Sequence, residues 1–248
     1  MASRKQEKER LRQERIEAEK RDADAARRRL LLGYLVAGVL AAAVVAGLVI
    51  VITSGDGGGG KDLPANAHIN PQFGTPAEGV EPDDREGTPP PAIAHADLQE
   101  AADLAHCDLM LDLPDEGNSH LKPSEPAPDY DTNPPTSGNH IVPPLQTADG
   151  AYLGTPHPVN FVHSLEHGRI EIQYSPDLPE DDQLALKGVF DESPGGMLLF
   201  PNPDMPYEVA ATAWTQLLGC KDYNPDVLDA IRDFRDTYRG RGPEPVPF

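Results

Sequence analysis

Four side chains could do chemistry together: His140, His163, Glu166 and His167. His140 ends the run N-P-P-T-S-G-N-H at 133–140, and the other three fall in V-H-S-L-E-H-G-R-I at 162–170. His163 and His167 are four apart, so one turn of helix puts both imidazoles on a single face, the spacing a divalent metal needs from two histidines. Glu166 completes H-x-x-E-H, the string in which inverted zinc metalloproteases bind zinc through the two His and activate water with the Glu. Those enzymes carry the string within a long helix and draw a further acidic ligand from a following helix. Here Gly168 and a strand pattern follow at once, so metal-dependent hydrolysis is the minor reading. We expect a metal site of His140, His163 and His167, with Glu166 as fourth ligand or orienting partner. Imidazoles suit zinc or Cu(II); Cu(I) would want sulfur, and the only thioethers beyond residue 53 are Met110, Met197 and Met205. The plainer alternative is a set of half-buried structural imidazoles. Ser137 and Ser164 stand near histidines, but neither sits in a nucleophile elbow.

Several elements must position these groups. Asn133-Pro134-Pro135 is pushed toward extended geometry, and Thr136-Ser137-Gly138 supplies a turn that displays His140. Gln146 to Pro158 reads as a loop carrying Tyr152 and His157. Phe161 to His167 makes one to two helical turns, with Gly168 in the C-cap position. Arg169 to Tyr174 alternates, placing Ile170, Ile172 and Tyr174 on the buried face of a half-buried strand and Arg169, Glu171 and Gln173 on the other. Arg169 is then a charge partner for Glu166 or Glu171. A helix over Glu180 to Phe190, strands over Met197 to Phe200 and Glu208 to Trp214, and a helix opening at Asn224-Pro225-Asp226 complete the pattern. A shorter helix within Ala92 to His106 leads into Cys107, and His120 lies in an extended, Pro-broken stretch at 118–129. The order implies an α+β fold, a small mixed sheet with flanking helices. A thioredoxin-like half-fold fits by analogy of fold alone.

The domain is preceded by three other segments. Residues 1–29, with 11 basic and 7 acidic residues, read as a charged cytoplasmic helix. Residues 30–53 are apolar without a charge, enough to cross a hydrocarbon core as one transmembrane helix. Arg27, Arg28 and Arg29 flank one side of that span and Ser54-Gly55-Asp56-Gly57 the other, so the positive-inside rule puts the N-terminus in the cytoplasm and the rest outside the cell membrane. Residues 54–91, rich in Gly, Pro and acids, read as a linker, and residues 92–248 as the exported domain. Taking the first 29 residues from the chain's 21 basic and 41 acidic ones leaves 10 and 34. An exterior that acidic disfavours nucleic acid and anionic lipid and favours cations or basic partners; the expected partners are the bilayer, through residues 30–53, and envelope proteins. Only Cys107 and Cys220 exist, both beyond the span and outside any C-x-x-C, so a long-range disulfide is the simplest account; a redox or copper-binding thiol pair is the alternative.

N-P-P-T-S-G-N-H at 133–140, G-A-Y at 150–152, V-H-S-L-E-H-G-R-I with I-Q-Y, and A-T-A-W at 211–214 followed by Cys220 resemble the bacterial DUF3105 family over residues 100 to 245. The resemblance implies an exported or membrane-tethered protein and no particular activity. The reading is therefore a single-pass, extracytoplasmic protein that binds a transition metal, copper or zinc. A non-catalytic subunit of an envelope complex and a metal-dependent hydrolase are its alternatives.

Overall fold

The alternating segment predicted as a strand lies at the centre of a six-stranded sheet in the computed structural model, which describes residues 63–248. In chain order the strands are β1 (Cys107–Met110), β2 (His120–Leu121), β3 (His140–Ile141), β4 (Gly150–Ala151), β5 (Ile170–Tyr174), β6 (Met197–Pro201), β7 (Val209–Ala213) and β8 (Gln216–Cys220). The large sheet has the order β1-β8-β7-β5-β6-β4, and β2 and β3 form a separate parallel pair. Among the described residues four α-helices accompany them: α1 (Leu98–Leu104), α2 (Pro158–Glu166), α3 (Glu180–Glu192) and α4 (Val227–Tyr238). The fold is a mixed α+β domain. The charged segment, the apolar span 30–53 and residues 54–62 lie outside the described residues; among the described residues no helix is long and apolar enough to cross a membrane.

β5 is parallel to β6 and antiparallel to β7, which pairs antiparallel with β8. Helix α3 is the crossover that the parallel β5–β6 pair requires. It packs Leu186, Val189 and Phe190 against Ile170, Ile172 and Leu199, and α4 adds Ile231 and Phe234 to the same core. Each such side chain, fully buried, contributes about 1.5–3 kcal/mol. α4 begins at Val227, two residues later than the sequence predicts, because Pro225 and Asp226 form a turn ahead of it.

β5 is not half-buried as expected: all five residues are buried. Glu171 pairs in register with Leu198 and Thr212, so it faces the side of the sheet where α2 packs Phe161, Val162 and Leu165 against Leu198 and Phe200. There the Thr212 hydroxyl (3.1 Å) and the Gln173 amide (3.1 Å) donate to Glu171 Oε2, while Oε1 has no partner. Burial holds the Glu171 carboxyl well above its ordinary 4.5, outweighing the two donors. The folded chain therefore keeps a proton that the unfolded chain loses above that value, and stability falls as pH rises past about 4.5 by up to ~1.4 kcal/mol per pH unit. Glu171→Gln is expected to flatten that slope and to stabilise the domain at neutral pH. Denaturant midpoints measured across pH test this, and an unchanged slope in the variant refutes it.

Residues 63–91, expected within the linker, instead line the domain. Asn70, Thr75 and Pro82 bridge to Asp149, Thr147 and Tyr152 beside the short edge strand β4. Ala67, Phe73 and Asp83 are buried, and Asp83 accepts from the Arg85 guanidinium at 2.8 Å. Backbone pairing to a sheet edge, rather than an apolar core of its own, orders this Pro-rich segment. The two cysteines meet in a disulfide that joins β1 to β8 at an in-register pair.

Candidate metal centre

Three elements converge on one point. The parallel pairing of β2 and β3 sets His120 beside His140 in register, with ring centroids 5.0 Å apart. α2 packs against β3 and starts with Pro158 at its first position, where a missing N–H leaves nothing unsatisfied. From its last turn His163 and Glu166, three residues apart, project together. His140, His163 and Glu166 are buried, and only the His120 side chain, 35% exposed, opens toward solvent.

Glu166 Oε2 is the centre of the group. His140 Nε2 lies 3.0 Å from it, His120 Nε2 3.6 Å and His163 Nε2 3.9 Å, and one ligand atom from each of these four residues lies within 4.8 Å of all the others. Two ligand atoms each about 2 Å from one ion lie at most about 4 Å apart, and the three imidazole nitrogens meet that limit in their distances to Glu166 Oε2. Trp214 closes one side, its ring edge-on to His140 at 6.1 Å.

The hydrogen bonds leave this group short of protons. His140 Nδ1 lies 2.8 Å from the Gly138 carbonyl, which only accepts, so Nδ1 carries the hydrogen. In a neutral His140 the Nε2 then bears a lone pair and points at a carboxylate oxygen, acceptor against acceptor. A proton or a metal cation must lie between them. Burial opposes the proton on the imidazole: desolvation pushes His140 down, against the pull of Gly138 and Glu166. His163 is pushed down to about 3, chiefly by burial and then by the charges of His140, His167 and His120. Its Nδ1 has no hydrogen-bond partner; the Ile141 backbone lies close enough only to favour the charged form slightly.

Of the expected ligands, the structure brings together His140, His163 and Glu166. His167 stands beside them as the C-cap of α2, its Nε2 3.0 Å from His163 Nε2 and its Nδ1 donating to the Glu244 carbonyl at 2.8 Å. His120, which the sequence reading left without a role, joins the group instead. No local spacing reveals it; its one sequence hint is that His120-Leu121 matches His140-Ile141, two short apolar-flanked strands. His157 is exposed at the start of α2, away from the cluster.

The chain's last residues bind down the end of α2. Glu244 N–H donates to the Glu166 carbonyl at 3.0 Å and Val246 N–H to that of His167 at 3.3 Å, satisfying carbonyls that a helix end leaves open. A Cβ on Gly242 would collide with the Glu166 carbonyl, so this strap requires glycine there. Arg169 is fully buried and pairs with Asp149 (2.9 Å), not with Glu166 or Glu171 as expected. Its guanidinium also donates to the His167 and Val246 carbonyls and stacks 3.3 Å from the Phe73 ring centroid. β4 delivers Asp149 to Arg169 from a position that sequence proximity gives no sign of. Neither serine faces a histidine base: the Ser164 hydroxyl donates to the Thr147 carbonyl at 2.8 Å, and Ser137 Oγ accepts from Glu116 N–H at 3.0 Å.

Residues 122–247 match the family model described as protein of unknown function, DUF3105. The chain belongs to this family. No curated protein and no solved structure matches it. The DUF3105 match takes in His140, His163, Glu166, His167 and Cys220, while His120 and Cys107 precede it.

Proposed function

We propose that this chain is a membrane-anchored, extracytoplasmic protein that holds a transition metal ion at His120, His140, His163 and Glu166. The observation that carries the reading is the 3.0 Å approach of His140 Nε2 to Glu166 Oε2, two buried acceptors that a cation reconciles. Three imidazoles and a carboxylate suit zinc or Cu(II). Sulfur plays no part: Met197 lies in the main core, Met110 and Met205 pack elsewhere, and both cysteines are in the disulfide, so Cu(I) and thiol chemistry are disfavoured. The half-exposed His120 gives the ion a way in and out, which suits storage or delivery near the envelope. The apolar span 30–53, with its arginine flank, supports anchorage with the domain outside. The sequence β5-α3-β6-β7-β8-α4 is compatible with a thioredoxin-like half-fold, but with no C-x-x-C pair that likeness carries no redox function. The hydrolase alternative would need Glu166 as a base, whereas its Oε2 sits among the imidazole nitrogens as a ligand would.

The test is metal retention by the full chain in detergent against a chromophoric chelator. The parent is expected to retain at least one zinc or Cu(II) per chain, and to give the intense visible bands of a tetrahedral site when loaded with Co(II). His140→Ala should lose both. A parent that holds no ion against the chelator sinks the reading and leaves a non-catalytic envelope subunit.

A further inference from the structure

We infer that a second divalent ion binds beside the first, held by His167, Glu244 and the other oxygen of Glu166, so that Glu166 bridges a two-metal centre. The inference rests on the metal reading above and adds to it a further site. Glu166 has two carboxylate oxygens in a side chain that is 1% exposed, and the His120–His140–His163 group faces only Oε2. Oε1 is buried without a hydrogen-bond partner, an arrangement that is unfavourable unless something binds there. Glu166, His167 and Glu244 form a separate set in which one ligand atom from each lies within 4.8 Å of the others.

His167 is prepared for this role. Its Nδ1–H is committed to the Glu244 carbonyl, which leaves the lone pair on Nε2, and that atom has no proton donor facing it except His163 Nε2 at 3.0 Å. Two adjacent imidazoles with their Nε2 atoms this close, on rings 4.8 Å apart, can each serve one of two neighbouring ions. The chain's last residues bring Glu244 to the site through the Glu244 N–H bond to the Glu166 carbonyl. Ions sharing one carboxylate stand about 3.5–4 Å apart in known two-metal sites.

The two positions differ in character. The first has three nitrogens and three of its four residues buried; the second has one nitrogen and two carboxylates, one of them on exposed Glu244. The second is therefore the weaker and the more readily exchanged, and its donors accept zinc, Mn(II) or Cu(II).

Zinc titration and elemental analysis of the full chain, with a Glu244→Gln variant alongside, test the proposal. Two zinc ions per chain are expected in the parent, one bound tightly and one at least tenfold more weakly. Glu244→Gln should bind one, with the tight affinity unchanged. One ion per chain in the parent, or two in the variant with both affinities unaltered, overturns the second site while leaving the first intact. No ion in either overturns both. The bridge has its own readout: loading with two equivalents of Cu(II) should give an electron paramagnetic resonance signal that integrates to well under two spins per chain because the ions couple. Two full, independent spins would refute the shared carboxylate.

Discussion

Replacing Glu166 by glutamine is expected to raise the stability of the metal-free chain while sharply weakening its hold on metal. The amide is isosteric with the carboxyl, and its NH2 can donate to the His140 Nε2 lone pair now set against an oxygen at 3.0 Å. Without metal that contact holds only by taking up a proton, which burial opposes on the imidazole, and an amide that brings its own hydrogen should gain about 1–3 kcal/mol. The same change removes the one anionic ligand of the first ion, so its affinity should fall by more than the ten- to hundredfold that loss of an outer partner brings. The opposite signs make the result decisive. If the histidines were purely structural, with His140 charged and ion-paired to Glu166, the substitution would break a buried pair and destabilise the fold by about 3–5 kcal/mol. Urea unfolding of the chelator-treated variant, read beside its zinc affinity, separates the two accounts.

Cys107→Ser with Cys220→Ser should show the converse pattern: a large loss of stability and a small loss of metal affinity. The disulfide closes a loop with a sequence separation of 113 residues, for which loop entropy gives about 4–5 kcal/mol. That is a large share of the 5–15 kcal/mol typical of a whole domain. β1 is an edge strand paired only with β8, so the bond pins β1 and, through Ala101, Ala102 and Ala105, the packing of α1 on the core. His140, His163 and Glu166 lie on β3 and α2, which the disulfide does not touch. His120 follows β1 through Leu113 N–H to the Thr215 carbonyl and Glu116 N–H to Ser137 Oγ, so it is the ligand that loosens. Guanidinium midpoints with and without reductant measure the stability term. A midpoint unmoved by the double substitution would show that pairing within the sheet suffices.

What the sequence by itself determined is local. The Ile-Glu-Ile-Gln-Tyr alternation marked β5, the spacing of Leu186 and Phe190 or of Ile231 and Phe234 marked the helices on its apolar face, and Gly168, with φ 79°, ended α2 as its type allows. Three of the clustered residues were legible because His163 and Glu166 belong to the H-x-x-E-H string, singled out for the four-residue spacing of its histidines, and His140 follows a turn-forming run. The cysteine pairing was legible because only two exist. What only the tertiary structure decided depends on neighbours far along the chain. Alternation shows that one face of β5 is apolar, but not that α2 covers the other; Glu171 is buried because that face also has a lid. β8 was missed because its hairpin turn uses Trp214-Thr215, with Thr215 at φ 61°, in place of the Gly or Asn that announces such turns. The Thr136 carbonyl, accepting from Thr215 N–H at 3.0 Å, supports that turn from the stretch that carries His140. Residues 63–91 have a linker's composition and are held by partners distant in the chain, the β4 edge for residues 70–83 and α3 and α4 for Gly87, Thr88 and Pro91. His120 joined the cluster through the parallel register of two two-residue strands, a relation no spacing encodes. Arg169 found Asp149 for the same reason: the partner of a buried charge is chosen by what the fold brings within 3 Å, not by what lies nearest in sequence.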